Sequence, residues 1–156
     1  MTYQTHVLTG VTTALLISEC IQEPGKKLLF IGAAGIGALL PDVDTKKSFI
    51  RKFIPFFFPL KHRGHTHSIV GLLIFSLIII PCGINSITTG LIWGYLSHIL
   101  ADSFTITGTY PFYPQEKIRL KLAEIRTGGP GEDFFAAINI CVMFLFFYFK
   151  LKGVSV

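Results

Sequence analysis

A chain of 156 residues that is 51% hydrophobic and only 15% charged, with a mean hydropathy of +0.59, is too apolar for an ordinary soluble domain of its size. One domain, residues 1–156, is all this length supports, since no Ser/Gly-rich linker, low-complexity tract or repeat divides it. Cys20, Cys82 and Cys141 form no C-x-x-C pair, which excludes a disulfide framework and a zinc ribbon and leaves them as expected packing residues.

Five apolar segments follow in chain order: Val7 to Ile21, Leu28 to Leu40, Ser68 to Ile80, Ile84 to Ala101, and Phe134 to Phe149. The first carries no basic flank and no small-residue cleavage pattern, so it is expected to be retained. Several are shorter than the ~20 residues of a full span. The third and fourth are separated by Pro81-Cys82-Gly83, which predicts a helical hairpin. Between the second and third, Phe53-Ile54-Pro55-Phe56-Phe57-Phe58-Pro59-Leu60 is too short to span and too apolar for water, and predicts an interfacial segment.

Ten of the 14 basic residues lie in the two long loops: Lys46, Lys47, Arg51, Lys52, Lys61 and Arg63, then Lys117, Arg119, Lys121 and Arg126. By the positive-inside rule those loops, and with them the N-terminus, are cytoplasmic. The net charge of +5 then reflects topology and anionic headgroups, and no nucleic-acid partner is expected. The expected fold is therefore an all-α integral membrane protein, a multi-pass bundle of about five hydrophobic helices with a polar site at the cytoplasmic helix ends.

With that topology the unusual polar residues share one membrane face. His6 opens the first segment; Asp42 and Asp44 follow the second; His62, His65 and His67 precede the third; His98 and Asp102 end the fourth; Glu132 opens the fifth. Residues four apart share a helix face, and these continue stripes of small residues. His6 leads to Gly10, Ala14 and Ser18, Asp42 follows Ala38 and Ala34, His67 leads to Gly71, and His98 follows Gly94 and Gly90. Small residues let helices approach closely in lipid, so the stripes should face the bundle interior and aim the polar groups together. For the fifth helix the pattern is ambiguous, because Glu132 leads to Ala136 while Asp133 leads to Ala137 and Cys141.

His98 and Asp102 sit one turn apart and can share a metal, which would also offset the cost of a carboxylate at a helix C-terminus. Asp42 and Asp44, two apart after Pro41, lie to one side of an extended chain, and a cation would relieve their repulsion. His62 and His67 offer imidazoles, and Arg63 can hold phosphate oxygens bidentately. Plainer roles compete: helix caps for Thr66 or Ser68, a hydrogen-bonded pair for His98 and Asp102, and a favourable dipole position for Glu132.

These residues also carry a family likeness. From His6 through Leu40-Pro41-Asp42-Val43-Asp44 and His62-Arg63-Gly64-His65-Thr66-His67-Ser68 to Gly94-Tyr95-Leu96-Ser97-His98-Ile99-Leu100-Ala101-Asp102, the chain resembles the YdjM-like group of bacterial inner-membrane, metal-dependent hydrolases. Thr105-x-x-Gly108 and Gly128 followed by Glu132 extend the match. The group's pattern His-Arg-Gly-x-Thr-His-Ser puts His65 at its variable position. The resemblance implies the bacterial cytoplasmic (inner) membrane and hydrolase-like metal ligands.

The expected function is hydrolysis of a phosphoester in a lipid or lipid-linked substrate by water activated on one or two divalent ions, Zn²⁺ or Mn²⁺. The expected core ligands are Asp42, Asp44, His67, His98 and Asp102, with His6 and His62 as additional ligands or as residues that orient the ligands, Arg63 as phosphate clamp and Glu132 as a ligand or general base. Two rivals remain: a metal-ion or proton transporter, disfavoured because the stripes turn to Gly, Ala and Ser away from the site, and a nonenzymatic membrane factor with a structural metal site.

Overall fold

A computed structural model describes residues 1–44 and 63–153. The expected interfacial segment Phe53 to Leu60, and His62, lie outside those residues. The described residues form five α-helices, with short 3₁₀ turns and no strand: α1 (Tyr3–Ile17), α2 (Pro24–Gly37), α3 (Ile69–Ile79), α4 (Ser86–Ser103) and α5 (Pro130–Leu151). Two isolated bridges, Thr105 to Ile125 and Thr109 to Leu120, tie down the segment between α4 and α5.

Local chemistry sets the boundaries. Pro24 and Pro130 stand in the first turns of α2 and α5, where a missing N–H costs nothing. Ser68 caps α3 by accepting from the Gly71 amide, and Asn85 with Thr88 forms a capping box on α4. Between α3 and α4 the chain turns through Ile80–Cys82 and Gly83, whose φ of 100° suits glycine, making the expected hairpin.

The five expected helices are present, but they differ in their capacity to span. Among the described residues, only α5, at 22 residues, is long and apolar enough to cross a membrane by itself, with α3 and its 3₁₀ extension forming a shorter apolar helix. At 15 and 14 residues α1 and α2 are too short. The 18 residues of α4 include Thr88, Thr89, Ser97, His98, Asp102 and Ser103, because this helix carries the polar site.

The interior is inverted relative to a soluble protein. Among the largest fully buried side chains are His6, His67, His98, Asp102, Thr105 and Thr109, while Leu77 and Phe144 are each 72% exposed. Leu28, Leu73, Phe134 and Leu151 continue this apolar outer surface, far larger than a soluble monomer tolerates. The cysteines belong to that exterior: all three are free and exposed, correcting the packing role expected of them.

Small residues bring the helices together. A Cβ on Gly94 would lie 2.0 Å from the Ala34 carbonyl oxygen, and one on Gly90 would lie 2.4 Å from that of Phe30. Backbone therefore meets backbone along α2 and α4. Gly10 on α1 faces Ala34, Ala38 and Ser97, so the three stripes converge as expected. On α5 the ambiguity resolves toward Glu132, which is buried, whereas Asp133 and Ala137 are exposed.

Candidate metal centre

The converging stripes end in a buried cluster. His98 Nε2 and His67 Nε2 stand 3.2 Å apart. Asp42 Oδ1 lies 3.4 Å from His67 Nε2 and 3.7 Å from His98 Nε2. On the other side Asp102 Oδ2 lies 3.8 and 3.9 Å from the same two nitrogens. His6 stacks on His98 with ring centroids 3.6 Å apart, and its Nε2 is 3.3 Å from Asp102 Oδ1. Two overlapping groups, His6-His98-Asp102 and Asp42-His67-His98, thus have ligand atoms within 4.8 Å of one another and could hold a metal.

Partners behind the rings fix which nitrogen faces inward. His98 Nδ1 is 2.6 Å from the Ala38 carbonyl, which only accepts, so Nδ1 carries the proton and the Nε2 lone pair faces the cluster. Thr66 Oγ1 donates to Asp44 Oδ2 at 2.7 Å and is left to accept from His67 Nδ1 at 3.0 Å, which aims His67 Nε2 the same way. Asp44, buried, also lies 3.6 Å from His67 Nδ1. It therefore stands behind His67 rather than among the converging atoms, an arrangement that orients a metal-ligating histidine. His6 Nδ1 is buried with no hydrogen-bond partner.

Burial opposes charge on His67, but the hydrogen bonds with Asp42 and Asp44 and the charge of Asp102 outweigh it and raise its pKa to about 9. Burial likewise opposes the Asp42 carboxylate, yet its hydrogen bond to His67 and the charges of His98 and His67 hold its pKa at about 2. With no metal bound, a proton on His67 therefore lies between the facing nitrogens. The His67 charge then stabilises the metal-free fold fully below pH 6.5, and the contribution is lost as pH rises through about 9. Thermal melts with chelator present should fall steadily from pH 6.5 to above 9; a flat profile would contradict the arrangement.

Arg63 adopts a left-handed backbone conformation, φ 62°, which costs a non-glycine residue roughly 1–2 kcal/mol. Its Nη1 donates to Thr105 Oγ1 at 2.9 Å, to Thr107 Oγ1 and to the Gly108 carbonyl, and Nη2 is 3.3 Å from Asp102 Oδ2. This guanidinium braces the Oδ2 oxygen of Asp102, while His6 lies at Oδ1. The Met1 amine is 2.7 Å from Asp102 Oδ1.

Glu132 is placed apart. One oxygen accepts from Thr2 N and Thr2 Oγ1, the other from Gly128 N at 2.7 Å, so it ties the start of α1 to the start of α5. Replacing Glu132 by Gln should lower stability by about 1–3 kcal/mol through weakened charge-assisted bonds, read as a lower melting temperature. Elemental analysis of the variant should show unchanged metal. His65, exposed, packs edge-on against Tyr113 outside both groups.

Some contributors had no distinctive sequence signal. Thr66 read as a cap, yet it orients His67; the Tyr95 hydroxyl, 2.6 Å from the Thr66 carbonyl, steadies that turn. The spacing of Tyr95 and His98, three apart on one helix, could have pointed to it.

Comparisons with known proteins place the chain in a family. The family model for the YdjM inner membrane protein matches residues 1–154. The chain is 27% identical to the uncharacterised protein YvsG of Bacillus subtilis, over 98% of each. It is 30% identical to the inner membrane protein YdjM of Escherichia coli and to that of Shigella flexneri, over 86% of this chain and 76% of each relative. No solved structure matches. A match over nearly the whole length, running through every element of the His/Asp cluster, establishes that this chain belongs to the YdjM inner membrane protein family.

Proposed function

We infer that this protein is a multi-pass, metal-dependent hydrolase of the inner membrane that cleaves a phosphoester in a lipid or lipid-linked substrate at the cytoplasmic face. The observation that carries the metal part is the pair of buried imidazole nitrogens 3.2 Å apart, both turned inward by partners behind them and flanked by Asp42 and Asp102. A tetrahedral zinc with bonds of about 2.1 Å separates its donors by about 3.4 Å, close to these spacings. Asp42, His67, His98 and Asp102 would hold the ion, and His6, with its unpartnered Nδ1, lies next to it. Because both groups of donors share His98, whose Nδ1 is occupied by Ala38, they favour one centre over two independent ones.

A divalent ion there would lower the pKa of a water and stabilise charge on the attacked phosphoryl group. The chain's own residues prepare that chemistry. Asp44 and Ala38 hold the imidazoles in the ligating tautomer, and Arg63 fixes Asp102 while keeping positive charge beside the cluster. The Asp42 side chain is 19% exposed, against 0–2% for His67, His98 and Asp102, so substrate would approach over Asp42.

That same enclosure favours one alternative, a metal that only ties helix ends together, since structural sites are closed and catalytic sites keep an open position. Elemental mass spectrometry on detergent-purified protein, paired with turnover of phospholipids and prenyl phosphates, separates the two. Stoichiometric Zn²⁺ or Mn²⁺ with metal-dependent phosphoester cleavage, lost in a folded Asp42→Asn variant, supports the enzyme. Metal without turnover, and Asp42→Asn lowering stability instead, supports the structural role. No bound or rebindable metal overturns both.

A further inference from the structure

α5 packs closely on α1 but only sparsely on α4, and the gap between them is a cavity of about 360 Å³. That volume lies at the lower end of ligand-binding pockets. Its walls run from Thr9 to Leu16 on α1, from Trp93 to Ala101 on α4 with Phe104 just beyond its end, and from Phe135 to Val142 on α5. At one end the Phe104 and Phe135 rings, 5.6 Å apart, bridge α4 and α5.

The lining is hydrocarbon in character even where its residues are not. Thr9 and Thr13 return their hydroxyls to the carbonyls of Thr5 and Thr9, Ser97 to that of Gly94, and the Asn139 amide to that of Phe135. Trp93 Nε1 donates to Thr13. Of the hydroxyls lining the cavity, that of Thr12 has no partner. The groove therefore presents methyl, methylene and aromatic surface to its contents.

Position identifies the occupant. The mouth is flanked by the exposed Leu16, Leu100 and Ile138, on the side of α5, the one helix among the described residues long enough to span, so it opens toward membrane hydrocarbon. The inner wall is shared with the metal cluster: Thr9 lies one turn beyond His6, and Ser97 and Ala101 immediately precede His98 and Asp102. We propose that this groove binds one hydrocarbon chain of a membrane lipid whose polar head reaches the His/Asp cluster. The headgroup half rests on the hydrolase reading; the chain-binding half stands on the cavity alone.

The test uses the full-length chain in phospholipid nanodiscs doped with a phosphatidylethanolamine that carries a diazirine midway along one acyl chain. After photolysis, labelled peptides are mapped by mass spectrometry and zinc is measured on the same samples. A saturable component should map to Trp93 to Phe104 and Phe135 to Val142. It should be lost in Val142→Trp, which fills the groove, and kept in Leu145→Trp, which adds an indole to an exposed position. Unchanged zinc and helical circular dichroism in Val142→Trp would show that the fold survives, and Leu96→Phe provides a second filling variant.

Labelling that never saturates and spreads evenly onto exposed Leu73 and Leu77 of α3 would overturn the proposal, whether the groove is filled by another helix or by the chain's own residues. Saturable groove labelling in protein that binds no metal would keep the lipid site and overturn the hydrolase reading. Stoichiometric metal without groove labelling would do the reverse.

Discussion

Asp102→Asn should abolish stoichiometric metal binding and lower stability more than any other single isosteric change in the cluster. The carboxylate lies 3.3 Å from both His6 Nε2 and Arg63 Nη2, and within 3.9 Å of His67 and His98. Removing its charge takes away the anion shared by the Arg63 guanidinium and His6, while Asp42 stays beside His67 and His98, and breaking a buried pair from one side costs on the order of 3–5 kcal/mol. Melts with chelator present isolate this ion-pair loss, because neither protein then carries metal. Elemental analysis without chelator reads the ligand loss. Full metal occupancy with an unchanged melt would remove Asp102 from the centre.

The second large effect lies away from any ionisable group. In Gly94→Ala the added carbon would fall 2.0 Å from the Ala34 carbonyl oxygen and 2.7 Å from the Ala38 nitrogen, so α2 must move off α4. Overpacking of this kind costs about 1–3 kcal/mol. The displacement also pulls the Ala38 carbonyl from His98 Nδ1, and loss of such an orienting partner weakens metal binding about 10–100-fold. Gly32→Ala is the control: the same change on α2 meets nothing within 4 Å and should be neutral or stabilising by up to about 1 kcal/mol. Zinc titrations and melts of the two variants should diverge in both readouts. Equal behaviour would mean that the α2–α4 contact does not hold the site.

Hydropathy, Pro and Gly placement and the four-residue stripes located all five helices to within a few residues of their observed ends, because each rests on local periodicity and capping. Position in the chain also brought His6, Asp42, His67, His98 and Asp102 to one end, since helices joined by alternating turns must return their matching ends to the same side. Which atoms face inward was decided only by tertiary structure. Asp42 and Asp44 are equivalent in sequence, yet the 3₁₀ turn Leu40–Asp44 sends one toward His67 Nε2 and the other behind the ring. Arg63 and Glu132 read as free to meet a substrate, whereas the fold engages one with Asp102 and Thr105 and the other with Thr2 and Gly128. A backbone carbonyl such as that of Ala38 has no sequence signature at all, and neither does a groove between helices that pack closely on a common third and only sparsely on each other. Sequence fixes what each helix carries; the depth and angle of backbone contact, set by glycine and alanine against carbonyl oxygen, fix what those groups can reach.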